Sequence, residues 1–154
     1  MKTILGVPLL PDFGRKPALS LSKGGDFSPD KHQEARIFLG GHSYGGRQSS
    51  MLCAEEPDLV SDLLLLSYPL HPPRRPEQQR TQHLPDLRTP TLFVQGTRDP
   101  FGSIEEIQRA IKMIPAKTKL LTIEGAGHDL GFKGKAKEGN LAATILAEFQ
   151  GLVA

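Results

Sequence analysis

The sequence is poor in the residues that mark several protein classes. Its single cysteine, Cys53, excludes an intramolecular disulfide and any Cys-x-x-Cys metal cluster, and fits a reducing, cytoplasmic setting. Aromatic residues make up only 6% of the chain, too few to line a nucleic-acid surface with stacking platforms. The longest unbroken aliphatic stretch, Leu63 to Leu66, is far below the roughly 18 residues of a membrane-spanning helix. The start, Met1-Lys2 and then Ile4 to Leu10, is interrupted by Pro8 and followed by no small-x-small cleavage site, so no secretory signal is expected. An excess of one charge is missing too, since nineteen basic and seventeen acidic residues leave +2. Lys133, Lys135 and Lys137 do cluster, but without interleaved aromatics they read as a solvated loop. The five histidines have no ligand spacing, so neither a metal nor a cofactor is expected.

What is present describes an ordinary folded chain. With 38% apolar and 23% charged residues, 154 residues suffice for one domain with its own core. From Ala35 onward short apolar runs alternate with helical patterns, the rhythm of a parallel sheet covered by helices on both faces, which is the α/β class. Arg36 to Gly40, Asp62 to Ser67, Thr91 to Gln95 and Lys119 to Glu124 are the candidate strands. A helix over Gly45 to Glu56 places small residues at Gly45, Ser49, Cys53 and at Gly46, Ser50, Ala54, two rows that can press close to a sheet. Ser103 and Glu106 form a capping box before an isoleucine stripe at positions 104, 107, 111 and 114, which Pro115 is expected to end. The last helix starts near Asn140 and repeats Leu141, Ile145, Phe149 and Leu152. Tyr68 to Pro90 holds six prolines and reads as an extended loop with at most one turn of helix, able to overhang a site. Residues 1–34 show neither strand nor helix periodicity and are expected to be an irregular segment before a catalytic unit at 35–154.

The chemistry concentrates in three places. Gly41-His42-Ser43-Tyr44-Gly45 matches the G-x-S-x-G nucleophile elbow and stands between a candidate strand and a candidate helix, as the motif requires. Glycines are expected at both flanks because a neighbouring Cβ would clash on so sharp a turn. The N–H of Tyr44, at the positive end of the helix, is the natural first oxyanion donor. A serine hydroxyl needs a base to take its proton and a third group to orient that base. Asp99 and His128 each follow a candidate strand by a short turn, and the carboxyl ends of parallel strands share one edge, so Ser43, Asp99 and His128 should converge there. Their chain order is the hydrolase order. Simpler roles compete with these: Asp99 as a turn cap before Pro100, Asp129 as the acid in its place, and His128 as a structural loop histidine. Cys53 reads as helix packing, His42 and His71 as structural or pocket-lining, and His32 and His83 as exposed.

The segments LGGHSYGGR, SYPLHPP, TPTLFVQGTRDPFGS and EGAGHDL resemble the small, dienelactone-hydrolase-like serine hydrolases of the α/β-hydrolase superfamily, over about residues 36 to 132. The resemblance implies Ser43 as nucleophile, Asp99 as acid and His128 as base. His42 departs from it, standing where many members of that group carry a lysine. The fold it implies also places several strands before the elbow strand, one of whose loops supplies a second oxyanion donor. Only 42 residues precede Ser43, room for at most one βαβ unit of about 30 residues, so an N-terminally truncated hydrolase is expected and the second donor is unassigned.

The function expected is a serine hydrolase of a carboxylic ester, lactone or thioester, working through an acyl-enzyme on a small-molecule substrate. The alternative is a catalytically weak or inactive truncated domain serving as a binding or assembly module. Because the first strand would lack an upstream neighbour, its apolar edge at 36–40 is expected to pair, the preferred arrangement being a homodimer.

Overall fold

Successive strand side chains point to opposite faces, so a strand apolar at every position must be covered on both. The computed structural model describes residues 36–131 and 140–154, and the segment 1–34, His32 and the lysines at 133, 135 and 137 fall outside them. The strands β1 (Phe38–His42), β2 (Asp62–Leu66), β3 (Thr91–Gly96) and β4 (Thr118–Ile123) are all parallel and lie side by side in chain order. The helices α1 (Tyr44–Glu55) and α2 (Ile104–Ile111) cover one face, where Cys53, Ile107 and Ala110 pack on Leu63, Leu65 and Phe93. The helix α3 (Leu141–Val153) covers the other, with Ile145 and Leu152 against Leu92 and Val94. Each of the fully buried leucines contributes about 1.5–3 kcal/mol.

This is the α/β architecture the patterning implies, with differences at particular ends. β1 starts and stops two residues later than the apolar run suggests. It continues through Gly40 and Gly41 because the backbone keeps its parallel register to β2 up to His42 opposite Leu66. Its first residue, Phe38, and the flanking Ile37 are 48% and 61% exposed. α2 ends at Ile111, and Met113 and Ile114 are held in short turns ahead of Pro115, whose ring disfavours helical backbone before it. Tyr68 to Pro90 does carry just one 3-10 turn, Leu84–Asp86, yet it belongs to the core as much as to the surface: Tyr68, Leu70, Leu84 and Leu87 are buried beside α1 and β3. Among the described residues no helix is long and apolar enough to cross a membrane.

Caps and charges secure the helix ends. Ser103 Oγ accepts from Glu106 N–H at 3.3 Å while the Glu106 carboxylate accepts from Ser103 N–H at 2.9 Å, the reciprocal capping box. These bonds, led by the Ser103 backbone, hold the Glu106 carboxyl below its ordinary range. Asn140 caps α3 through Ala143 N–H. At the other end of α3, Lys117 Nζ donates to Leu152 O at 2.9 Å and Arg36 donates to Val153 O at 2.7 Å, satisfying carbonyls a helix leaves unpaired. Arg36 also pairs with the buried Asp62 carboxylate at 2.8 Å, so one guanidinium ties the segment leading into β1 to β2 and α3.

α1 approaches the sheet more closely than a side chain would allow. A Cβ on Gly46 would lie 2.6 Å from Gly41 O, and one on Gly41 would lie 2.5 Å from Gly46 N. A Cβ on Gly45 would meet nothing within 4 Å among the described residues. The steric need expected at both flanks of Ser43 therefore falls on Gly41 and Gly46, and the buried row of α1 is Gly46, Ser50 and Cys53, with Gly45 turned outward. Gly46→Ala is expected to cost about 1–3 kcal/mol by overpacking. Gly45→Ala should be neutral or stabilising by up to about 1 kcal/mol, the helix preference for alanine. Urea unfolding of the two variants tests this; equal effects would contradict it.

Candidate active site

Ser43 stands between the last residue of β1 and the first of α1 with φ 54° and ψ −122°, left-handed backbone that a serine adopts only when its surroundings force it. Its N–H is fixed to Leu66 O at 2.8 Å and its carbonyl accepts from Arg47 N–H at 3.0 Å. The turn lifts the side chain above the carboxyl edge of the sheet. His128 reaches it from the loop after β4: Nε2 lies 2.7 Å from Ser43 Oγ. On the other side of the ring, Nδ1 lies 3.0 and 2.9 Å from the two Asp99 oxygens. A carboxylate only accepts, so the proton sits on Nδ1 and the lone pair of Nε2 faces the serine hydroxyl.

Asp99 is sequestered from water and has donors for both oxygens. Phe101 N–H donates to Oδ1 at 2.9 Å, and Gln95 Nε2 donates to Oδ2 at 2.9 Å. With His128 this makes three donors around one buried carboxylate, the arrangement that stabilises its charge where solvent cannot. Asp129, the alternative acid, instead accepts from Gly131 N–H at 3.0 Å in its own loop. The Phe101 ring lies on the imidazole of His128, centroids 4.2 Å apart. Tyr44 N–H, at the start of α1, has no acceptor among the described residues, and its side chain is 67% exposed beside Ser43.

The remaining histidines sort differently from one another. His42 is exposed, and its Nε2 lies 2.8 Å from the carbonyl oxygen of His128. His71 is buried, with Nδ1 toward Pro72 O at 2.8 Å and Nε2 toward Glu106 at 3.2 Å. His83, expected to be exposed, is half-buried with Nε2 2.8 Å from Ser50 Oγ; burial, helped by Arg47, pushes its pKa down. Cys53 packs in the core, and burial pushes its thiol up, away from reactivity. A depression lined by Glu56, Pro57, Asp58 and Leu59 lies at the far end of α1 and includes none of these groups.

Two residues that shape the site carried no motif. Gln95 is a polar residue directly after the apolar run Leu92 to Val94 of β3, four positions before Asp99, and that placement is the signal it offered. Gly96 ends β3 directly beneath the His128 loop: a Cβ there would lie 2.3 Å from Ala126 O and 2.6 Å from Gly127 O. The loop is held down at this point by Arg98 N–H to Ala126 O and by Gly125 N–H to Thr97 Oγ1, at 2.9 and 2.8 Å. Gly96→Ala is expected to lift the loop, to cost about 1–3 kcal/mol in urea unfolding, and to broaden the His128 Nδ1–H proton resonance. An unchanged resonance would show that the loop does not rest on Gly96.

The geometry has recognisable relatives. The α/β hydrolase domain model matches residues 23–152. A dienelactone hydrolase from Anabaena variabilis is 24% identical and superposes with a TM-score of 0.55, over 77% of this chain and 49% of that one. A predicted CIB-like hydrolase from Thermoplasma acidophilum is 20% identical with a TM-score of 0.56, over 77% and 51%. The polyketide synthase ThaQ of Burkholderia thailandensis is 46% identical over 48 residues, which are 31% of this chain and 2% of that one. The chain thus spans about half the length of the two hydrolase structures. It belongs to the α/β hydrolase domain family.

Proposed function

We propose that this α/β hydrolase-family chain is a serine hydrolase of carboxylic ester-type substrates, an ester, lactone or thioester, acting through an acyl-enzyme on Ser43. The continuous hydrogen-bonded path from Ser43 Oγ through His128 to Asp99 is the observation that carries it. In this reading Ser43 Oγ attacks the carbonyl carbon as its proton passes to His128 Nε2. Asp99 stays ionised and balances the imidazolium. The oxyanion is met by Tyr44 N–H and the positive end of α1. Collapse returns the proton to the leaving alcohol or thiol, leaving the acyl group on Ser43, and water, activated by His128, then releases the acid. A cytoplasmic setting belongs to the same proposal, supported by a lone, buried cysteine.

Ser43→Ala should reduce hydrolysis of short p-nitrophenyl esters by orders of magnitude without changing the melting temperature, because Ser43 is not one of the buried core residues. Asp99→Asn should reduce kcat comparably by favouring the wrong imidazole tautomer. Full activity in either variant contradicts these roles. A second reading is the inactive binding or assembly module, which a chain with Tyr44 N–H as its one assigned oxyanion donor would be. A folded wild-type chain with no hydrolysis above background would select it.

Assembly is the remaining part of the proposal. The outer edge of β1 has no strand partner among the described residues, and Ile37 and Phe38 stand exposed along it. An apolar edge of this kind templates pairing, and we place a second copy there across a twofold axis, centred on 38–42 instead of the 36–40 that the apolar run suggested. Light scattering at micromolar concentration should then read twice the 16.8 kDa chain mass. A strictly monomeric mass would remove the dimer.

A further inference from the structure

β4 is three strands away from β1, about 14 Å at the usual 4.7–4.9 Å spacing, yet His128 must meet a serine at the tip of β1. The loop from Gly125 to Leu130 covers that distance. Its bonds to Thr97 Oγ1 and Arg98 N–H lie over β3, ahead of His128. Past His128, Leu130 N–H turns back to Gly127 O and Leu130 is buried against α3. At the Ser43 end of the span, the bond to His128's own backbone among the described residues comes from His42, 86 residues away in the chain and next to the serine. Strand alternation puts His42 on the same side as Phe38, which packs on Phe149 of α3, so the side chain rises past the sheet edge beneath the loop.

We infer that His42 is a positioning residue for the base: its Nε2–H donates to the His128 carbonyl and fixes the far end of the loop at the distance the proton transfer needs. The inference rests on the reading of Ser43 as nucleophile and His128 as base. Asp99 holds the imidazole from its Nδ1 side, but a ring can pivot about one such bond. A second anchor on the backbone fixes Cα, and with it the 2.7 Å separation of Nε2 and Ser43 Oγ. The acceptor is a carbonyl, so Nε2 must be the donor, and both the neutral Nε2–H tautomer and the imidazolium can fill that role. The bond is exposed and contributes little to stability; its effect is on where the base sits, and a displacement of about 1 Å can cost about a hundredfold in rate.

Glutamine carries a donor nitrogen the same number of atoms from Cα as histidine Nε2, whereas leucine fills the space without a donor. The test is the second-order rate of fluorophosphonate labelling of the full chain for wild type, His42→Gln and His42→Leu, with melting temperatures as the control for folding. His42→Leu should label roughly tenfold to a hundredfold more slowly at unchanged melting temperature, and His42→Gln within about threefold of wild type. Labelling of His42→Leu at the wild-type rate overturns the inference, and so does His42→Gln as slow as His42→Leu, which would assign the effect to the ring and not the donor. If wild type itself does not label, the nucleophile reading fails, and the inference is decided by the His128 Nδ1–H proton resonance. Retained in wild type and His42→Gln but lost in His42→Leu, the resonance supports it; unchanged in all three, it refutes it.

Discussion

Two backbone approaches too close for any Cβ set the geometry on which everything else in this molecule depends. At one, Gly41 on β1 and Gly46 on α1 touch through main-chain atoms, which seats the helix on the strand end and forces Ser43 between them into left-handed backbone. At the other, Gly96 on β3 lets the main chain of Ala126 and Gly127 lie across the sheet edge, so that His128 comes within reach of that serine. Neither contact is strong in itself. Each orders a chain segment against the conformational entropy it loses, about 1–2 kcal/mol per backbone residue fixed.

The strained turn at Ser43 is maintained because its neighbours determine it. A residue at such φ and ψ costs on the order of 1–3 kcal/mol and persists only inside rigid surroundings. Here those are the parallel pairing of β1 with β2 up to His42, the bond from Ser43 N–H to Leu66 O, and the first turn of α1. Asp99 is rigid by different means, a buried carboxylate held by a strand glutamine, a loop amide and His128. Ser43 and Asp99 follow strand ends closely and His128 sits on a loop, so the cluster is as well ordered as that loop.

Most of the architecture was legible because doubly covered strands leave little choice of residue. Leu63 to Leu66 and Leu92 to Val94 are apolar at every position, and the helices betray themselves by the Ser103–Glu106 box and the Asn140 cap. The convergence of Ser43, Asp99 and His128 was legible because each lies just beyond a strand end on one sheet edge. What was not legible depends on distances that no pattern encodes. Gly41 and Gly45 flank the serine alike in the motif, and only the approach of α1 makes Gly46 the partner that matters. β1 extends through two glycines because pairing with β2 outweighs their poor strand preference. His83 looks like a surface residue in its proline-rich loop until Ser50, on a helix of small side chains, gives it a place.

The proposal made for Ser43 is that folding, and not composition, makes one serine reactive. Trypsin releases Ser43 in the peptide Ile37 to Arg47, which contains no other serine, so the site of modification can be read without ambiguity. Mass spectrometry after brief treatment with a fluorophosphonate should find the phosphonyl group on this peptide alone in the folded chain and on no peptide in urea. Modification spread over several serines, or the same modest labelling of Ser43 in folded and unfolded protein, would contradict the account.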